Sequence, residues 1–439
     1  MALPPAVRDE RGPAPLKSLD TRAPLERALL VGVGPKSQTE LIRSSLDELR
    51  RLTDTAGAVV VGEATQALAR FNPGTLIGSG KVAEIAGMSS GLRAGTIIFD
   101  LELSPGQQKN LEKELPKRKI VDRTRLILDI FAQRARTSEG RLQVELAQLS
   151  YMLPRLTGAW RAFSQQAGGI GTRGPGERKL EYEKRHIQLR ISHLRADLER
   201  VRAARRLRRE RRAGVPVPQI ALVGYTNVGK STLLNKLTGE SSVYADDKLF
   251  ATLDPTARRV RLPEGGWAVA TDTVGFIQRL PTTLIAAFRA TLEEVEAADV
   301  LLIISDASSP EMEQQRASVV GTLADLETKD IPRVEVFNKS DRLSPELRSD
   351  LQRKYPDAVF LSAATGEGVS DVLRLIETAL SSRWLKREID VPLTKSAVAA
   401  RFYESAQVLG RETRGHKTRF KLRVTLENWK RLQALLAEC

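Results

Sequence analysis

One cysteine, Cys439, and three histidines are all the thiol and imidazole ligands that this chain of 439 residues offers a metal. That scarcity excludes an internal disulfide framework and any multi-cysteine metal site, and it leaves no basis for a zinc centre. Long apolar runs are lacking too. None approaches the roughly 18 residues needed to span a bilayer, and "VLLII" at 300–304 is only of strand length. The first 25 residues hold many prolines and charges and no apolar stretch of signal-peptide type, so 1–25 reads as a disordered tail and the expected location is cytoplasmic. A membrane-transport role is excluded on the same ground.

The apolar fraction, 41%, is enough to fill cores, and the length is too great for one of them, which implies three or four domains. Net charge is +15, unevenly placed. From Arg178 to Arg212 stand 14 Lys/Arg against 5 Asp/Glu. Such a run is either a solvated helix face or the electrostatic footprint of a nucleic-acid binder.

Residues 26–136 alternate short apolar runs ("ALLVGVG", "AVVVGE", "GTIIFD", "KIVD") with helical patterns, predicting a small α/β domain with a mainly parallel sheet. Within it "GTLIGSGKV" fails as a phosphate loop. Gly74 is one place too far from Lys81, and Val82 stands where a hydroxyl belongs, so a Gly-rich turn is expected. Over 137–213, Leu142, Leu146, Leu149, Leu153 and Leu156 and then Ile187, Ile191, Leu194, Leu198 and Val201 repeat at heptad spacing, predicting an antiparallel helical hairpin. Its connector, 158–177, reads as too glycine-rich to pack. Trp160, Arg161, Phe163 and Arg173 in it suit base stacking and phosphate contact, unless it is merely a flexible link.

The most specific signal is "GYTNVGKS", Gly224–Ser231, a match to GxxxxGK[ST] between a strand and a helix. In such a loop the backbone N–H groups of Gly224, Tyr225, Thr226, Asn227, Val228 and Gly229 ring the phosphates. Lys230 neutralises them, and the Ser231 hydroxyl takes magnesium. "DTVG" (Asp272, Thr273, Val274, Gly275) follows a strand, placing a carboxylate near the metal and the Gly275 N–H near the terminal phosphate. "NKSD" (Asn338, Lys339, Ser340, Asp341) selects the base. Asp341 accepts from guanine N1–H and the exocyclic amine, Lys339 lies along the ring and Asn338 braces the loops. "SAATG" (Ser362, Ala363, Ala364 onward) offers the Ala363 N–H to the guanine oxygen. The expected ligands are therefore GTP and GDP with Mg2+, in a GTPase domain over 214–385. Phe276 stands where many regulatory GTPases carry a water-orienting glutamine, so hydrolysis is expected to be slow alone and to need a group from elsewhere. The remainder, 386–439, reads as an α+β module of strand, helix 396–408, strand and helix. Its Arg401, Arg411, Arg414 and His416 are surface charge or RNA contacts.

With "GSGKV", "SEGRLQVELAQLSYMLPRLTG", "GGIGTRGPGE" and "LFATLDPT" added to these motifs, the chain resembles the HflX GTPases over most of 70–380. The fold implied is α/β: a phosphate-loop GTPase domain with an N-terminal α/β domain, an antiparallel helical hairpin and a small C-terminal α+β module. The resemblance makes "FATLD" (Phe250, Ala251, Thr252, Leu253, Asp254) the first switch, with Thr252 as a second magnesium-binding hydroxyl beside Lys230 and Gly275. It implies a monomeric factor that meets the large ribosomal subunit and its RNA and splits or rescues stalled ribosomes under stress. Two other readings stay open: an RNA-linked GTPase of ribosome assembly or tRNA modification, and an ATP-dependent RNA remodeller. Asn227 either braces its loop or, as in GTPases whose first motif reads GxxNxGK, joins in holding potassium.

Overall fold

The structure is a computed structural model that describes residues 25–164, 175–212, 217–239, 249–250, 254–278, 292–326 and 328–437. The expected tail, Arg173, the glycine cluster from Gly168 to Gly174, and Ala251, Thr252 and Leu253 lie outside the described residues.

Four strands build the first sheet: β1 (Arg27–Pro35), β2 (Val59–Leu68), β3 (Thr96–Phe99) and β4 (Lys119–Asp122), all parallel in the order β2-β1-β3-β4. Helices α1 (Thr39–Thr55), α2 (Ser79–Gly91), α3 (Pro105–Glu114) and α4 (Arg123–Arg134) connect and follow them. Leu29, Val31, Ile97 and Phe99 fill one face and Leu30, Ile98 and Val121 the other, which is why these strands read as unbroken apolar runs. The expected turn falls at 73–75, and "GSGKV" is the start of a helix rather than a turn or a phosphate loop: Gly78 caps α2, and Lys81 pairs with Glu84 one turn on at 2.7 Å.

Next come α5 (Ser138–Ser164) and α6 (Pro175–Arg212), packed on each other. Ile191, Leu194 and Leu198 of the expected seam are buried, and Arg190 grips Glu145 across the pair at 2.7 and 2.9 Å. The face that α5 turns to α4 is not the leucine row but Val144, Ala147 and Tyr151, all buried in the core they share with Phe131. The connector is also shorter than expected. Helix α5 runs through 158–164, and α6 begins on Pro175. Gly158 is an isolated glycine in a good helix-forming stretch and costs only about 1 kcal/mol, whereas proline at the first helical position is favoured. The side chains of Trp160, Arg161 and Phe163 lie outside those described.

A six-stranded sheet follows, ordered β10-β9-β8-β5-β7-β6. Its strands are β5 (Gln219–Gly224), β6 (Thr256–Arg261), β7 (Trp267–Asp272), β8 (Val300–Asp306), β9 (Arg333–Asn338) and β10 (Val359–Phe360). Only the edge strand β6 is antiparallel. Helices α7 (Lys230–Thr238), α8 (Met312–Ala324), α9 (Pro345–Lys354) and α10 (Val369–Leu380) cover it.

The last sheet is antiparallel, β11-β13-β12, from β11 (Trp384–Pro392), β12 (Gln407–Arg414) and β13 (Lys417–Thr425), with α11 (Ser396–Ser405) and α12 (Leu426–Ala437) behind it. Strand β12 corrects the expected helix end at 408. Arg411 and Arg414 sit on a charged strand paired to β13, and Gly415, with φ 59°, makes the turn. Buried Arg423 of β13 pairs with Glu377 of α10, and the Gln407 amide donates to Trp267 O at 2.8 Å, so this sheet is seated on the preceding one.

Candidate nucleotide site

Gly224 ends β5 where β8 passes so close that a Cβ would collide with the Ile304 carbonyl. The chain then reverses through Asn227 (φ 61°) and Gly229 (φ 93°) and enters α7 at Lys230. Only a glycine fits at 229, because a Cβ would strike the Asn338 amide. The Lys230 ammonium is buried, donating to Tyr225 O at 2.8 Å and Gly224 O at 3.2 Å across the mouth of the loop. Burial pushes its pKa down to about 8, with the Asp272 carboxylate opposing the shift.

Beside it, Ser231 Oγ donates to Asp272 Oδ2 at 2.6 Å, and Asp272 is fully buried. A hydroxyl and a carboxylate side by side at the start of α7 are the hard oxygen donors magnesium takes, and the site fits that ion. Among the described residues no cluster of three His, Cys, Asp or Glu offers another metal site. Thr273 Oγ1 donates to Leu222 O at 2.7 Å, pinning "DTVG" to β5. Gly275 packs against Thr226 and Lys230, and Phe276 is buried.

The base-selecting motif sits at the end of β9. Asn338 donates to Val228 O at 2.7 Å and accepts from the Ala363 N–H at 2.9 Å, clamping the phosphate loop to the "SAATG" loop. That engages the amide expected to face a guanine oxygen, because the buried Asn338 carboxamide needs an acceptor and a donor and finds them there. The exposed Ala364 is next along the chain. Lys339 (φ 62°) reaches back to Asn227 O at 3.0 Å and pairs with Asp306 at 2.7 Å. Ser340 N donates to Leu361 O at 3.0 Å, and Asp341 stands exposed on the following turn. Buried Ser362 completes the group.

Two expected contacts lie elsewhere. Phe250 is buried with its ring edge-on to Phe131, centroids 4.6 Å apart, because an aromatic ring next to an apolar core enters it. The Asp254 carboxylate accepts from Arg136 N and Thr137 N, each at 2.9 Å, and from Thr137 Oγ1 at 2.5 Å. Exposed amides at the start of α5 supply the donors that draw the carboxylate there. Sequence reasoning also missed Glu48, whose carboxylate accepts the Tyr225 hydroxyl at 2.6 Å. Its signal was a carboxylate beside the apolar stripe Ile42, Leu46, Leu49 and Leu52 of α1.

Four loops at the C-terminal ends of β5, β7, β9 and β10, carrying GxxxxGKS, DxxG, NKxD and SA, converge on one edge of a parallel sheet. That defines a phosphate-loop GTPase. Residues 43–132 match the family described as "GTP-binding GTPase N-terminal", 134–212 "GTP-binding GTPase Middle Region", 219–339 "50S ribosome-binding GTPase" and 350–437 "HflX C-terminal domain". A GTPase HflX of Magnetococcus marinus is 45% identical over 89% of this chain and 90% of its own. That of Escherichia coli is 40% identical over 93% and 95%. A crystal structure of a GTP-binding protein from Sulfolobus solfataricus with GDP is similar at 22% identity and TM-score 0.42, over 82% of this chain and 99% of its own. The chain belongs to the HflX family of GTPases and hydrolyses GTP. Among the described residues no helix is long and apolar enough to cross a membrane.

Proposed function

We propose that the chain binds GTP and Mg2+ through the residues above, acts in the cytoplasm on the large ribosomal subunit, and splits or rescues stalled ribosomes. Gly224–Ser231 receive the phosphates, Asp341 and the Ala363–Ala364 loop read guanine, and Ser231 with Thr252 holds the metal. Magnesium, when bound, spreads the charge that develops on the β- and γ-phosphate oxygens. Lys230 meets the same oxygens, and the Gly275 N–H meets the terminal phosphate. Water adds to the γ-phosphorus as the bond to the bridging oxygen breaks, releasing GDP and phosphate. With Phe276 unable to orient that water, the ribosome supplies the activating step. The observation that carries the ribosomal part is the match of 219–339 to the 50S ribosome-binding class, supported by the excess of 9 positive charges along Arg178–Arg212. Cosedimentation with purified large subunits should be stronger with a non-hydrolysable GTP analogue than with GDP and should weaken as salt rises. Equal pelleting in both nucleotide states would overturn the assignment.

Asn227 would place a potassium ion where an arginine finger places its charge. Its backbone carbonyl holds Lys339, and its side chain is exposed at the loop tip. GTP turnover is expected to be faster in potassium than in sodium at matched ionic strength, with the difference lost in Asn227→Ala. Equal wild-type rates, with and without ribosomes, leave Asn227 a bracing residue.

A further inference from the structure

The DxxG segment lies directly on the phosphate loop. Thr226 N donates to Phe276 O at 2.8 Å, and Phe276 N donates to Gly224 O at 3.0 Å. Between them Gly275 is so close that a Cβ on it would stand 2.7 Å from Thr226 Cγ2, 2.8 Å from Thr226 Cα and 3.1 Å from Lys230 Nζ. A terminal phosphate has to accept from Lys230 and from the Gly275 N–H at once. Each bond needs a donor–oxygen distance of about 2.7–3.0 Å, with a phosphorus atom between the oxygens. That close packing narrows the space beside Lys230 that a terminal phosphate has to enter, so GTP favours a Gly275 drawn back from Lys230. GDP makes no such demand.

A third bond holds the segment down, and it is anchored outside the GTPase sheet. Gln278 N donates to Tyr225 Oη at 2.6 Å, and Tyr225 Oη donates to Glu48 Oε1, also at 2.6 Å. The second oxygen of Glu48 takes the Arg123 guanidinium at 2.5 Å, Arg123 reaches Asp100 at 2.7 Å, and Asp100 accepts from Ser45 Oγ at 2.6 Å. Tyr225, Glu48, Arg123, Asp100 and Ser45 are each no more than 4% exposed. Burial lowers the Arg123 pKa, but Glu48 and Asp100 outweigh it and keep the guanidinium charged. Burial and then Glu48 raise the Tyr225 pKa, so the phenol keeps its proton. With that one proton committed to Glu48, the oxygen lone pairs are turned to the Gln278 amide. The charged residues lock Glu48 into one rotamer in a low-dielectric setting, where hydrogen bonds in a chain strengthen one another.

We propose that Tyr225 and Glu48 set the balance between GDP and GTP: helix α1 holds Tyr225, and Tyr225 holds the segment carrying Gly275 over the place of the terminal phosphate. The inference rests on the reading that the Gly275 N–H meets that phosphate. Tyr225→Phe removes one oxygen and almost no volume, so it frees the Gln278 amide without opening a cavity. Affinities of the full-length protein for fluorescent GDP and for a fluorescent non-hydrolysable GTP analogue, both with magnesium, are the readout, with melting temperature as the check on folding. In Tyr225→Phe, whose backbone N–H still faces the phosphates, the ratio of analogue affinity to GDP affinity should rise about fivefold, the worth of one ordinary hydrogen bond. Glu48→Gln, which retains an acceptor for the phenol, should fall between wild type and Tyr225→Phe. A shift of both nucleotides by the same factor, no shift, or a fall in that ratio overturns the latch. Lys230→Ala, run alongside, separates the two levels: if it too binds both nucleotides normally, the phosphate-site reading itself has failed.

Discussion

Lys230→Ala is expected to weaken GTP binding by about 2–5 kcal/mol, the cost of truncating one partner of a buried, hydrogen-bonded charge pair. The ammonium spans Gly224 O and Tyr225 O across the mouth of the loop, so on the proposed reading it exchanges these carbonyls for phosphate oxygens. Its burial has a further consequence. Its folded-state pKa is depressed from 10.5 to about 8, so between those values the unfolded chain binds the proton and the folded chain does not. In that window the stability contribution of this group rises with pH, and below about pH 8 it costs on the order of 3 kcal/mol. Phosphate reverses the shift by supplying negative charge. GTP binding at pH 8–9 should therefore take up protons, which calorimetry in buffers of different ionisation enthalpy detects. Unchanged affinity in Lys230→Ala would remove the lysine from the phosphate site, and a buffer-independent enthalpy would show that its charge does not change.

What was legible in the sequence was local. The phosphate loop, DxxG, NKxD and SA motifs each occupy a few consecutive residues. Their chemistry is carried by backbone amides and by side chains that the adjoining strand end aims at one edge, so spacing alone exposes them. The parallel sheets were legible for a similar reason, since strands covered on both faces leave unbroken apolar runs. Contacts that join distant segments left little trace. Asp254 meets Thr137 and Glu48 meets Tyr225 across separations of 117 and 177 residues, and no pattern at either end names the other. Strand β12 escaped because Arg411, Glu412 and Arg414 on an exposed edge hide its alternation. The bond from the Ala363 amide to the Asn338 carboxamide likewise spans 25 residues and left no local trace.

Asp341→Asn is expected to move the preference from GTP toward xanthosine triphosphate. The 341 side chain does not maintain the fold: it is exposed, on a one-turn 3-10 segment whose position is set by its neighbours. Asn338 clamps two loops, Lys339 is tied to Asn227 O and Asp306, and Ser340 N is held by Leu361 O. A substitution at 341 therefore changes the recognition chemistry on an unchanged support. On the proposed reading the carboxylate accepts from both guanine N1–H and the exocyclic amine, and binding either partner to the wrong mate leaves polar groups unpaired. Sites built on such bonds discriminate by roughly 10⁴. Asparagine replaces one acceptor with a donor, which faces the guanine amine badly and the xanthine 2-oxygen well. The variant should melt like the wild type, lose most of its GTP affinity, and bind xanthosine triphosphate better than the wild type does. Competition titrations of both nucleotides against fluorescent GDP and its xanthosine counterpart give the answer directly. A wild type that binds the two triphosphates equally, or a variant that keeps its guanine preference, would place base selection outside Asn338–Asp341.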